Sequence, residues 1–248
     1  MFFKPSAWRT NAGARLAFSF IAVLLTDPSH AQPKTLTVPH VVVPAVTDLA
    51  EVQAQSAAVK RLLSQGILQP VAAQRFAPTQ GLTRGDFALA TQRMFDLKPS
   101  GTRSTFTDLD PKSALGQAVS SISPFLNRQA LCHGCTLPNQ FFPDKLVTRG
   151  EIAVTIVSIL GSRQKIQPLS PAELQQFVAG ASDTKKWSPT AAPYFALAVK
   201  NNVFALNPAK AFVPAGAVTR ADGAVALDGV QRKFAVPLHK ITPAEVIQ

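Results

Sequence analysis

Apolar residues recur at helical spacing in four stretches of the chain. Ile152, Ile156, Ile159 and Leu160 stand at i, i+4, i+7 and i+8, which brings them to one face of a helix with 3.6 residues per turn. Ala153, Val154 and Val157 fill the other faces, so this helix is apolar nearly all round and is predicted to be the most buried. Phe87, Ala90, Met94 and Leu97 mark a similar face earlier in the chain. Val59, Leu62 and Leu63 do so within residues 57–68, which include Gln65-Gly66-Ile67; Gly66 suits a left-handed C-terminal cap. Tyr194, Phe195, Ala198 and Val199 run into Asn201-Asn202-Val203, with Asn202 in the glycine's role.

Polar residues punctuate these stretches in a pattern that occurs three times. Phe76-Ala77-Pro78 precedes Thr83-Arg84-Gly85-Asp86, Phe141-Phe142-Pro143 precedes Thr148-Arg149-Gly150-Glu151, and Phe212-Val213-Pro214 precedes Thr219-Arg220-Ala221-Asp222. The threonines lie 65 and 71 positions apart, so each unit is a small supersecondary element that needs its neighbours to bury its apolar face. Thr83, Thr148 and Thr219 are expected N-caps, and an acidic residue three positions on completes a capping box. Only Glu151 has the length to do so fully; Asp86 and Asp222 are shorter. An aspartate opens each unit: Asp48, Asp108 and Asp183 precede their threonines by 35, 40 and 36 positions.

This order of aspartate, amphipathic helix, loop with Phe-x-Pro, and Thr-Arg-small-acidic box resembles the S-layer homology family over roughly residues 46–236. The resemblance implies three two-helix units around a pseudo-threefold axis, with grooves between them that bind anionic cell-wall polysaccharide, often bearing a pyruvate ketal. It also implies groove roles for the box arginines and the unit-opening aspartates, here Arg84, Arg149, Arg220, Asp48, Asp108 and Asp183. Val46 and Ala181 replace phenylalanine two positions before Asp48 and Asp183, and only the third unit has an aromatic residue soon after its aspartate, at Trp187. The second unit carries Pro124 in its expected first helix and a longer loop over 131–140; that proline is expected to kink the helix or to start it.

An arginine at the first position of a helix sits against the positive end of the macrodipole, a small penalty unless an anion lies close. Two partners fit. The unit-opening aspartate of the same or an adjacent repeat would form a bidentate pair, and a bound carboxylate or phosphate would be held by the guanidinium fork with the free N–H groups of the helix start. Trp187 and Tyr194 are candidates for stacking on a sugar ring; Trp187 suits core packing as well, with Lys185 and Lys186 favouring a groove rim. Phe76, Phe141 and Phe212 are expected to pack into the core.

Lys4, Arg9 and Arg15, the apolar run 16–25 and Ser29-His30-Ala31 have the three parts of a secretory signal, with cleavage expected after Ala31. The run is about half the roughly 20 residues a spanning helix needs, so no stable membrane insertion is expected after cleavage. The whole chain of 248 residues carries a net charge of +11, and residues 32–248 carry +9. That balance attracts anionic polymers; export points to envelope glycans and away from nucleic acid. Cys132-His133-Gly134-Cys135 holds the two cysteines. An even count in an exported protein favours a disulfide, with a redox dithiol or unpaired thiols as the alternatives. A haem site would need histidine where Thr136 stands, and zinc would need further ligands at a usual spacing.

None of the four histidines lies in a repeat helix, and no phosphate loop or paired-carboxylate motif is present. The expected protein is therefore all-α and non-catalytic, has no cofactor, and lies in the periplasm or at the cell-envelope surface. Its expected segments are a signal peptide (1–31), a Pro-rich lead (32–45), repeat 1 (46–98), repeat 2 with the Cys insertion (104–163), a linker helix (169–177), repeat 3 (178–236) and a tail (237–248). Its expected partner is cell-wall polysaccharide or peptidoglycan-associated glycan, with an envelope protein as a further partner. The alternatives are a periplasmic thiol-disulfide protein using Cys132 and Cys135, and a protein-binding scaffold whose unit-opening aspartates occupy the three arginines.

Overall fold

The computed structural model describes residues 46–100, 106–127 and 139–237. The expected signal peptide, Pro-rich lead, Cys132 and Cys135, and all but the first residue of the tail lie outside the described residues. Within them the fold is all-α. Its helices are α1 (Gln53–Ser64), α2 (Arg84–Phe95), α3 (Ala114–Ile122), α4 (Arg149–Ser162), α5 (Pro171–Gly180), α6 (Ala192–Lys200) and α7 (Arg220–Lys233). Gly66 and Asn202 close α1 and α6 in the left-handed region, at φ of 67° and 61°. The chain then turns back, with Ile67 N–H donating to Leu62 O at 2.9 Å and Val203 N–H to Ala198 O at 2.8 Å, the long bond of a helix stop that satisfies end carbonyls.

The main helix pairs join different units. Each unit's first helix packs on the second helix of the unit before it: α3 on α2, α6 on α4, and α1 on α7. The last of these joins the two ends of the repeat array. At the centre, the residues just before the three capping threonines bond in a cycle. Leu82 N–H donates to Val218 O at 2.8 Å, Val218 N–H to Val147 O at 3.1 Å, and Val147 N–H to Leu82 O at 2.9 Å. All three side chains are buried. A backbone segment that would otherwise leave unpaired donors in the core is thereby satisfied by its counterparts. Around this centre α4 buries Ile152, Ile156, Ile159 and Leu160 together with Ala153, Val154 and Val157.

Three local expectations need correction. Pro124 neither kinks nor starts an α-helix: α3 stops at Ile122, and Pro124 sits near the start of a 3₁₀ turn over Ser123–Phe125, where its missing N–H has no helical partner to lose. The linker helix continues to Gly180, opened by a full capping box of Ser170 and Glu173. Trp187 is a core residue, 8% exposed. It meets Phe195 and Phe212 edge-on at 5.5 and 6.2 Å, and Phe177 of α5 stacks on it at 5.8 Å. Enclosed by these three rings, the indole presents no open face to a sugar.

Candidate functional site

Thr83, Thr148 and Thr219 cap α2, α4 and α7, each hydroxyl accepting the N–H of the acidic residue three positions on, at 3.1, 3.2 and 3.1 Å. Glu151 also returns a bond, Oε2 accepting Thr148 N–H at 2.9 Å, so α4 alone of the three has the reciprocal box. The first two N–H groups of each helix are taken as well. Arg84 and Gly85 donate to Lys145 O and Pro143 O, Arg149 and Gly150 to Gly216 O and Pro214 O, and Arg220 and Ala221 to Gln80 O and Pro78 O, all at 2.8–3.0 Å. The helix starts therefore stitch each repeat to the next and hold no free N–H groups there for a bound anion, contrary to the expectation from the capping pattern.

The unit-opening aspartates do not pair with the arginines. Each carboxylate instead accepts two successive backbone N–H groups of its own repeat's Phe-x-Pro loop. Asp48 takes Phe76 and Ala77 at 3.0 and 2.7 Å, Asp108 takes Phe141 and Phe142 at 2.9 and 2.7 Å, and Asp183 takes Phe212 and Val213 at 2.9 and 2.8 Å. The middle residue of each loop is held at positive φ: 56° at Ala77, 55° at Phe142 and 54° at Val213. That conformation is unfavourable for any side chain and most of all for the β-branched Val213, so the aspartate acts as a clamp on a strained turn. It also fixes where the Phe76, Phe141 and Phe212 carbonyls point, and those carbonyls receive the arginines.

Burial alone would raise the pKa of Asp48 and Asp183; the loop N–H bonds outweigh it and hold both carboxyls below the usual aspartate range. A depressed carboxyl contributes stability that is present above its unfolded pKa, about 3.9, and is lost as pH falls through the folded value. Asp183→Asn is therefore expected to lower stability by about 1–2 kcal/mol at pH 7, and by less at an acid pH below the folded pKa of Asp183, where the native carboxyl is itself protonated. Thermal melts at the two pH values check this; an equal loss at both would show that the charge on Asp183 is irrelevant.

Each arginine reaches across to the following repeat, the third returning to the first. Arg220 is 4% exposed. It donates Nε to Phe76 O at 2.8 Å and Nη2 to Gln69 O at 2.6 Å, and Nη1 pairs with Asp86. Arg84 donates Nη1 to Phe141 O at 3.1 Å and pairs through Nη2 with Glu151. Arg149 donates Nε to Phe212 O and Nη2 to Ala205 O, both at 2.8 Å, with its guanidinium carbon 4.3 Å from the Phe204 ring centroid and 5.1 Å from that of Phe212. Among the described residues no carboxylate lies within 4 Å of it. Desolvation pushes the Arg149 guanidinium below the usual arginine range, while Asp222 and Asp183 act from a distance in the other direction.

Residues 47–88 and 182–223 each match the S-layer homology domain. These two stretches are S-layer homology repeats. Each runs from just before the clamping aspartate into the capped helix, so each holds one complete Asp, Phe-x-Pro and Thr-Arg set. The second unit, with its first helix cut short before Pro124, lies outside both matches. No curated protein matches the chain. S-layer homology domains are binding and structural modules, not catalytic ones. Among the described residues, no three of His, Cys, Asp and Glu are grouped to hold a metal, and no helix is long and apolar enough to cross a membrane.

Sequence reasoning missed the acceptors of the arginines. The carbonyls of Gln69 and Ala205 carry no side-chain signal, and two of the acidic box residues, Asp86 and Glu151, serve as partners for the arginine of the preceding repeat. The alternation of Arg with Asp or Glu inside each box was the available signal.

Proposed function

We propose that the chain is an exported, non-catalytic protein of the cell envelope, with three S-layer homology units around a pseudo-threefold axis running through Leu82, Val147 and Val218. It attaches non-covalently to anionic cell-wall polysaccharide or peptidoglycan-linked glycan, in the grooves where one unit meets the next. The observation that carries this reading is the placement of a box arginine at every junction, bonded to the next unit's Phe-x-Pro carbonyl. At Arg149 the guanidinium is held by neutral carbonyls alone, so its charge is not compensated by a paired carboxylate, and the excess of basic residues favours approach of a polyanion. The clamping aspartates Asp48, Asp108 and Asp183 shape the groove by fixing those carbonyls.

Co-sedimentation of the full chain with purified sacculi tests this. Binding that weakens as salt is raised from low to physiological strength is expected, because exposed charge pairs are screened over about 10 Å or less in that range. Absence of binding at low salt would overturn the proposal.

A further inference from the structure

The basic charge of the described residues is unevenly placed, and its excess lies away from the box arginines. Helices α2, α4 and α7 start at the central cycle; their far ends, with the ends of α1 and α6, are joined by a continuous set of bonds. Arg163, just past α4, donates Nη2 to Phe95 O of α2 at 2.6 Å, and Arg93 of α2 donates Nη1 to Gly66 O, just past α1, at 3.4 Å. Gln231 of α7 donates to Gln65, the cap of α1, at 2.6 Å, and Lys233 Nζ to Lys200 O of α6 at 3.4 Å. Segments 60–66, 93–98, 161–166, 200–202 and 228–233 make up this end, where Glu173 also pairs with Lys200. Together they hold nine basic residues against three acidic ones, a net charge of +6. The other described residues, the box arginines included, hold nine of each.

A local cause accounts for part of this. A helix C-terminus carries about −0.5 of partial charge and favours Lys or Arg in its last turn, which suits Arg61, Arg93, Lys200, Arg232 and Lys233. Five ends bring roughly −2.5 in all, so the net of +6 is more than twice what the dipoles balance. Asp228 is buried beneath Arg61 and Arg232, whose side chains stay 43% and 67% exposed. Lys60, Arg163 and Lys165 are exposed, with no carboxylate within 4 Å among the described residues.

We infer that this end is a docking surface for an acidic phospholipid bilayer, separate from the junctions that hold the box arginines. Charge complementarity sets the sign of the partner, and the layout sets its kind. Packed helices lie about 8–10 Å apart, so five ends spread the charge over two dimensions, where a single polymer chain would call for a linear track. Long, flexible basic side chains suit phosphates that rearrange laterally within a leaflet, and each one close to such a surface strengthens binding about fivefold. The large exposed apolar side chains, Val71, Leu146, Val213 and Val225, all lie outside these segments, so the contact is electrostatic and does not insert. This goes beyond the envelope-glycan reading and does not depend on it: the neutral remainder stays free for the wall while the basic end meets a membrane.

Amine acetylation of the full chain, followed lysine by lysine by mass spectrometry, tests this. It is run with vesicles of phosphatidylcholine and phosphatidylglycerol in equal parts, with pure phosphatidylcholine vesicles, and with soluble inorganic polyphosphate. Lys60, Lys165 and Lys233 are expected to be protected on the mixed vesicles and not on the zwitterionic ones, with Lys112 and Lys210 unchanged on both. Because the readout is resolved by site, a tether through the apolar run 16–25 does not mimic it. In vesicle flotation, Lys60→Gln with Lys165→Gln and Lys233→Gln should weaken the part that depends on phosphatidylglycerol about a hundredfold. Arg75→Gln with Lys112→Gln and Lys210→Gln removes the same charge from the neutral remainder and should change it less than about threefold. Glutamine suits position 210, since Gln74 takes the same left-handed backbone, φ 59° against 56° at Lys210. Equal weakening by the two triple variants would reduce the effect to net charge and overturn the docking surface, as would protection of all five lysines alike or of none. Protection of the three by polyphosphate and not by mixed vesicles would overturn the bilayer in favour of a phosphate polymer.

Discussion

Arg220→Ala is expected to destabilise the protein by about 3–4 kcal/mol, because it removes a buried cation while leaving its partners behind. The side chain is 4% exposed and ties the third unit to the first through two backbone carbonyls and Asp86. Without it, Phe76 O loses a charge-assisted donor in a buried position, and Gln69 O, on an exposed residue, loses another. Asp86, 42% exposed, regains water and limits the loss to the lower part of the range for broken buried pairs. A typical domain has about 5–15 kcal/mol in all, so the variant should unfold at a much lower urea concentration. The matching change at Arg149 should cost far less, since that guanidinium bonds two carbonyls and no carboxylate. Urea midpoints of the two alanine variants settle the contrast. Equal losses would mean that the two junctions are energetically alike, and the distinction between a structural and a ligand-facing arginine would fall.

Asp228→Ala is expected to cost about 3 kcal/mol and to act at α1–α7, the larger of the helix contacts that join the two ends of the repeat array. Asp228 lies on α7 with its side chain 1% exposed. Its carboxylate accepts Arg61 Nε and Nη2 of α1 at 2.7 and 2.6 Å, and Arg232 Nε at 2.9 Å. Burial would raise its pKa; Arg61 and Arg232 outweigh that and hold it below the usual aspartate range. Alanine leaves two arginines facing each other across the α1–α7 contact, where Gln231 also bonds Gln65 at 2.6 Å. Hydrogen exchange is the sharper readout than global stability: amides of α1 should lose protection before those of α4. Protection lost evenly over all helices would contradict a local seam. Because the Asp228 carboxyl is depressed, its contribution is complete above about pH 4 and declines as pH falls through its folded pKa.

What could be read from the sequence was local. The helical faces of α2 and α4, the threonine caps, the left-handed stops at Gly66 and Asn202 and the burial of Phe76 and Phe212 each depend on residues within about ten positions of one another. Apart from the turn at Pro124 and the end of the linker helix, the errors lie across repeats or across elements. Asp48, Asp108 and Asp183 were expected beside arginines on grounds of charge, but backbone N–H groups of the strained loops hold them. Nothing in Phe-x-Pro announces a positive φ before proline, least of all at Val213. Lys185 and Lys186 favour a groove rim for Trp187, whereas Phe177 of α5, Phe195 and Phe212 enclose it in the core. The three arginines were indistinguishable by motif; Arg220 is buried and Arg149 is open because Asp86 turns outward to its neighbour while Asp222 turns back to Thr219. A choice between two hydrogen bonds of similar length at one carboxylate leaves no mark on composition or periodicity.

A crystal structure of the full chain with a soluble, carboxylate-bearing fragment released from sacculi would test the central claim most directly. The fragment is expected where one unit meets the next, beside a box arginine and the Phe-x-Pro carbonyl that it holds. A fragment bound away from all three junctions would contradict the account.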